Sequence, residues 1–479
     1  MSRTDAPGET GHTRRWRIIA IAAAISFLGF FDLSVINVML PSIERTLGAG
    51  NSAVQWVVSG YALMFALALV PAGRFGDASG RRHALLIGLA LFTVASAVAG
   101  TAGSGTVLVV ARLAQGAAAG VLVPQLTALV EELFHPKWRG RPFGVLGATA
   151  SVATAIGPVI GGLIIALGGV ENGWRLVFLS NVPIGVVAAV LVWRMLPAKP
   201  LSDATDRRPD LIGTLLLGTG IMLVLLPALQ REQWPGPLPW LLLPAGIGVL
   251  FAFRSWETSP ARRHPPVFDF RLLTHRTYRL GMLLGFFYYA GFTSLPLIFS
   301  LHLQYGLHRS PFHTGLTIAP FAVGSALGAL LGGRHVERLG RRLIAVGLLT
   351  VLTSLALMTA LTSITGTTFS VLNSFPLLLA GVGSGLVITP NNTLTLAQVP
   401  RRDAGSAAGM YRTMRQVGAA IGLAVITATL LGSVGANNGH WPTALRHALL
   451  VELGIVTAAL LTNLADVVGS RRHPLDSAA

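Results

Sequence analysis

Apolar runs of about 20 residues, each long enough to cross a hydrocarbon core of about 30 Å, follow one another along nearly the whole chain. Short segments rich in Gly, Pro and charge separate them. They predict fourteen helical spans, at roughly 18–40, 54–73, 83–103, 106–130, 142–167, 174–195, 210–229, 238–254, 278–304, 314–333, 342–362, 370–396, 404–431 and 443–466. The grouping is six, two, six. It divides the chain into a tail (1–17), a six-helix bundle (18–196), an inserted two-helix segment with its flanking loops (197–277), a second six-helix bundle (278–466) and a tail (467–479). The expected class is therefore an all-α membrane protein with no room for a soluble domain between spans.

Composition agrees with that pattern: 52% of the 479 residues are hydrophobic and 11% charged, with a mean hydropathy of +0.64, against about 25% charged in an ordinary soluble domain. A net charge of +17 invites a nucleic-acid reading, which the placement of the charges excludes. Twenty-eight Lys and Arg fall on one side of the expected spans, five on the other, and Arg112, Arg412 and Arg415 within them. Because cationic loops are retained in the cytoplasm, both termini are expected there, in a bacterial inner (plasma) membrane. The stretch Thr13-Arg14-Arg15-Trp16-Arg17 before the first span resembles a secretion signal. The run continues to Leu40-Pro41 without a small-residue cleavage site, so an uncleaved span is expected.

The loop Gly73-Arg74-Phe75-Gly76-Asp77-Ala78-Ser79-Gly80-Arg81-Arg82 recurs as Gly333-Arg334-His335-Val336-Glu337-Arg338-Leu339-Gly340-Arg341-Arg342. Each copy lies between the second and third spans of its six-span group, the mark of a duplicated bundle with a cavity between the halves. The two lysines, Lys137 and Lys199, stand in no Gly-rich phosphate loop, so any active transport must draw on an ion gradient. Cysteine is absent and His302, His308 and His313 lack ligand spacing, so neither metal nor cofactor is expected.

Ionisable residues inside spans are costly and therefore informative. Asp32 lies about 21 Å from the inner boundary and Arg112 about 9 Å from the outer one, at matching depth in a core of about 30 Å. Pairing favours the charged carboxylate and burial the neutral acid, the tension a proton-coupling group needs. Gln115, Gly116, Ala119 and Gly120 share Arg112's helix face and allow close helix approach. Gly405, Gly409, Arg412, Arg415, Ala419 and Gly422 repeat the pattern in the thirteenth span. Arg415, about 16 Å deep, and Glu452, about 14 Å deep, are expected partners. Gly157-Pro158 with Gly161-Gly162 predicts a kink at a bundle interface. Phe286, Phe287, Tyr288, Tyr289 and Phe292 offer an aromatic surface for planar ligands, with a cationic preference expected although the buried arginines could equally attract anions.

Together these motifs resemble the major facilitator superfamily, and within it the fourteen-span drug:proton antiporters. Asp32 to Pro41 is similar to that family's first-span signature, and Gln55-Trp56-Val57-Val58 with Tyr61 to its second. Gly73, Asp77, Gly80, Arg81 and Arg82 are similar to the superfamily's gating loop, Arg112-Leu113-Ala114-Gln115-Gly116 to its proton-transfer motif, and Gly157, Pro158, Gly161 and Gly162 to the antiporter motif. Trp174-Arg175 with Phe178, Asn181 and Pro183, and Arg415-Gln416-Val417-Gly418, extend the match. Arg74, Phe75 and Gly76 depart from the usual gating loop, and Leu378 stands where the second half would repeat Arg112.

The resemblance implies two bundles rocking about a central cavity, with Gln55, Gln115, Tyr288, Tyr289 and Asn391 expected to line it. It further implies a monomeric, non-enzymatic exporter of small amphipathic compounds, in which proton and substrate compete for one carboxylate. A dedicated exporter of one endogenous antibiotic or metabolite shares that mechanism. A proton-linked symporter is disfavoured by the fourteen spans and the Gly157-Pro158 motif, and a receptor or enzyme by the short outer loops.

Overall fold

The computed structural model describes residues 9–48, 50–135, 138, 140–196, 210–229, 236, 238–259, 270–364, 366–397, 399 and 404–472. Among these, twelve helical segments are long and apolar enough to cross a membrane. Two shorter apolar helices, Ala53–Leu69 and Ile212–Val224, lie where the second and seventh spans are expected, so the inventory is compatible with fourteen.

The first half comprises α1 (Glu9–Leu47), α2 (Asn51–Ser79), α3 (Arg81–Gly100), α4 (Gly105–Leu133) and α5 (Gly140–Met195). The last is two spans joined at Gly169, whose φ of 78° breaks the helical path where the sequence predicts a loop. The inserted pair is α6 (Leu211–Leu229) and α7 (Leu242–Thr258). The second half comprises α8 (Arg276–Phe292), α9 (Leu295–Leu301) with a π-helical turn over His302–Gly306, α10 (Pro311–Leu339), α11 (Arg341–Leu361), α12 (Gly366–Leu396), α13 (Ala404–Ala436) and α14 (Trp441–Arg472). The expected ninth span is thus interrupted at Thr293 and Ser294, ahead of Pro296, which lacks an amide hydrogen to continue the ladder.

Packing repeats between the halves. In the first, α1 packs on α5, α2 on α4, and α3 on α4 and α5; in the second, α8 packs on α13, α10 on α12, and α11 on α12 and α14. The repeated loops turn at corresponding glycines, Gly80 with φ 88° and Gly340 with φ 53°, left-handed values a side chain resists. The halves meet through α5 with α10, α2 with α13 and α1 with α9, while α6 pairs with α7 and lies against α2 and α13. Close approach rests on small residues: a Cβ on Gly116 would stand 2.3 Å from the Tyr61 carbonyl, and one on Gly324 2.1 Å from that of Leu378. Lipid tails supply no hydrophobic drive between helices, so such contacts carry the association.

Hydrogen bonds identify the two ends. Arg14 reaches the Met195 carbonyl and Arg276 that of Ala465 at the end where α1 begins and α14 finishes; Arg175 reaches the Ala102 carbonyl, 2.6 Å away, at the other. The Gly80 and Gly340 loops belong to the first, here the loop end.

Candidate functional site

The helix register of α1 and α4 brings Asp32 and Arg112 together, both with fully buried side chains. Arg112 Nη1 donates to Asp32 Oδ2 at 2.5 Å and to Gln115 Oε1 at 3.1 Å, and its Nε donates to the Val57 carbonyl at 3.1 Å. Asn181 donates to Asp32 Oδ1 at 3.0 Å, and Gln115 to the same oxygen at 3.4 Å and to Ser96 at 2.8 Å. The Tyr61 ring covers the guanidinium, 4.3 Å from its centre. Four helical segments therefore converge on one carboxylate through α1, α4, the second half of α5 and, by way of Arg112, α2. Removing one member of such a pair strands a buried charge at a cost of about 3–5 kcal/mol.

In the first copy of the repeated loop, Arg81 donates to Glu132 at 2.8 Å and to Gln125 at 3.0 Å, tying α3 to the end of α4. Gly76 is needed there, because a Cβ would stand 1.9 Å from the Gln125 amide oxygen. Gly73 leaves ordinary contact with Pro124, Arg82 is half-buried, and the side chain of Asp77 lies outside the described residues. The second copy is bound differently. Arg341 Nε lies 2.7 Å from Asp466 of α14 and its Nη1 donates to Asn391 at 2.7 Å.

The antiporter glycines sit at the seams. A Cβ on Gly157 would meet Ser34 at 3.0 Å and one on Gly161 would meet Val35 at 2.0 Å, both on α1, whereas one on Gly162 would meet the Phe312 backbone at 2.7 Å, across the interface. Pro158 lines the cavity on one side and backs onto Gly315 of α10 on the other, with 2.4 Å from a Gly315 Cβ to its carbonyl.

Between the halves lies a cavity of about 440 Å³ lined chiefly by α1, α5, α8, α10 and α12, with Tyr288, Tyr289, Phe292, Phe321 and Phe30 as its aromatic wall. Ser34, Asn37, Thr154, Ser325 and Ser384 supply scattered polar groups, and Arg415 is the one charged residue among the described lining residues. Its wall extends to Gly147, Ala329 and Thr389, toward the loop end. The opposite end is closed. There Ser300 donates to the Asn37 carbonyl, Gln304 to that of Val38 at 3.2 Å, and Tyr305 to Glu44 while its ring stacks on Trp441.

Three expected lining residues do not face this space. Gln115 is drawn to Asp32 and Ser96. Asn391 is fixed by Arg341, Gly281 and Tyr411 near the loop end. Gln55 is buried outside the lining. Each is a buried amide claimed by nearer polar partners or enclosed by α2's neighbours. Nor do Arg415 and Glu452 pair: Arg415 lies 4.2 Å from the Tyr289 ring centre and 5.4 Å from that of Tyr411, while Glu452 accepts from Ser294 at 2.6 Å. Their depths match but α13 and α14 turn them toward different neighbours. Asp32 too stands outside the cavity, so a substrate there does not touch the carboxylate for which the resemblance has it compete with a proton. The small hydroxyl residues of the lining carry no signal in the sequence; Asn181 carried one, its place in the Trp174-Arg175 motif.

Comparison with known proteins agrees with this architecture. The chain is 32% identical over 448 residues to a probable actinorhodin transporter of Streptomyces coelicolor, covering 90% of this chain and 76% of that one. It is 32% identical over 438 residues to the puromycin resistance protein pur8 of Streptomyces alboniger, covering 90% and 85%. Its fold matches the crystal structure of a bacterial homologue of the human lysosomal transporter Spinster, inward-facing and occupied, with a TM-score of 0.67, 16% identity and coverage of 94% and 96%. The family model of the Major Facilitator Superfamily matches residues 22–423, and the chain belongs to that superfamily of multi-pass membrane transporters.

Proposed function

We propose that this protein exports small amphipathic drugs or antibiotics in exchange for protons, by alternating access between two six-span bundles in a fourteen-span plan. The observation that carries the reading is the buried Asp32–Arg112 pair placed one residue from the cavity wall, since Leu33 and Ser34 line the space while Asp32 faces away from it. A proton on Asp32 removes the charge that Arg112, Gln115 and Asn181 are arranged around, which loosens α1 against α4 and α5. Ser34 donates to the Thr154 carbonyl at 2.7 Å, so that movement is passed to the cavity side of α5. Coupling is then indirect: proton and substrate bias the same two-state element from its two faces.

With the basic end in the cytoplasm, the seal through Asn37, Val38 and Glu44 is the outer gate, and the conformation is inward-facing. The names of the two relatives support export of an antibiotic, and each names a single compound, which favours a dedicated exporter as the second reading. Uptake of a panel of dyes and antibiotics into everted vesicles tests both. Accumulation of several unrelated compounds, lost when the pH gradient is collapsed, supports the multidrug reading; accumulation of one compound supports the dedicated one; none, at any gradient, removes the proposal.

A further inference from the structure

The cavity has a charge character that export alone does not explain. Arg415 is the only charged side chain among its described lining residues, and no carboxylate lines it. The acids that could neutralise it are engaged elsewhere: Asp32 with Arg112, Asp466 with Arg341, and Glu452 with Ser294. Arg415 instead packs on the rings of Tyr289 and Tyr411 and hydrogen-bonds the Tyr289 hydroxyl, while its Nε has no hydrogen-bond acceptor. Arg412, one helical turn before it on α13, donates to Thr127 at 3.3 Å and is countered by Glu131, which leaves Arg415 as the positive charge of the cavity. An arginine packed on aromatic rings with an unpartnered Nε still has edge donors to offer, which a carboxylate, sulfonate or ionised phenol accepts. Opposite it, Tyr288, Phe292 and Phe321 offer flat apolar surface. A cation in the same space would face the Arg415 guanidinium with no acid among the described lining residues to offset it.

We propose that the cavity selects planar aromatic acids, with Arg415 as the anion-binding residue and the aromatic wall as the stacking surface. This rests on the export reading and narrows it, reversing the cationic preference expected from the sequence. A ligand seated this way leaves the tyrosine–guanidinium packing in place and links α8 to α13, stacking on the wall of the one and accepting from Arg415 of the other. Arg415 thereby sets substrate charge, whereas Asp32 stores the proton.

The test uses three probes with one ring system: anthracene-2-carboxylate, the corresponding carboxamide, and 2-(aminomethyl)anthracene. Binding to the purified full chain is followed by quenching of intrinsic fluorescence, and transport by uptake into everted vesicles. The carboxylate is expected to bind at least ~10-fold tighter than the ammonium probe, and Arg415→Gln to lower the carboxylate-to-amide affinity ratio by ~10-fold or more, with Arg415→Lys between the two. Equal or tighter binding of the ammonium probe to the parent protein overturns the proposal without any reliance on a variant. An unchanged ratio in Arg415→Gln overturns the role of Arg415. Transport of the ammonium probe with the carboxylate ignored leaves the export reading standing and removes only the acid preference; if none of the three is bound or carried, both fail.

Discussion

Asp32 is held by three donors from three side chains, and Arg112 by an acid, an amide oxygen and a backbone carbonyl. An ammonium group cannot span that set, so Arg112→Lys is expected to lose gradient-driven transport as fully as Arg112→Ala while still reaching the membrane. Transport near the parental rate in Arg112→Lys vesicles would show that only the charge matters. Gly116 of α4 and Gly29 of α1 make a separate prediction. Gly116→Val forces a side chain against the Tyr61 backbone and should lower the melting temperature, by the equivalent of about 1–3 kcal/mol. Gly29→Ala, with nothing within 4 Å of the added atom, should leave it unchanged or raise it. Equal effects of the two would contradict the packing described. Depth along a helix is legible in a sequence, which is why Asp32 and Arg112 were recognisable as partners. Azimuth is not, which is why Arg415 and Glu452 match in depth yet turn away from each other.

At the scale of elements, the spans themselves were readable because a bilayer imposes their length and apolarity. Less visible were the break of the ninth span at Thr293 and Ser294 and the π-helical turn that follows, which set Ser300, Gln304 and Tyr305 against α1. Their register depends on tertiary contacts with α1 and Trp441 that no local pattern encodes. The seal they form has to open if the halves rock. Since the chain contains no cysteine, the double variant Asn37→Cys with Ser300→Cys, at a pair already in contact and neither of them a glycine, places a thiol pair across the α1–α9 seam at the closed end. Oxidation is expected to stop transport and reduction to restore it; transport that continues with the disulfide formed would rule out opening at this seam. The gating loop makes a weaker but separate demand. Asp77→Asn should slow turnover severalfold at normal expression if its charge latches the loop end in the opposite conformation, and unchanged turnover counts against that latch.

For the whole molecule, charge asymmetry and internal duplication anticipate a two-bundle plan with both termini on one side. The structure places the start of α1 and the finish of α14 at the same end, with the Gly80 and Gly340 turns. Reporter fusions at Arg14 and Arg472 are expected to be active only on the cytoplasmic side, and periplasmic activity at either would invert the membrane orientation used here. What the sequence could not reveal is that the Asp32 carboxylate and the central cavity lie on different faces of α1, with Ser34 on the cavity side. In the exchange proposed above, that separation makes coupling a property of helix movement rather than of competition at one atom, and it is the central claim. Proton release on addition of a transported substrate to detergent-solubilised protein tests it most directly. The parent protein should release protons in weakly buffered solution, and Asp32→Asn should bind the same substrate but release none; equal release from both proteins would place the coupling group elsewhere in the molecule.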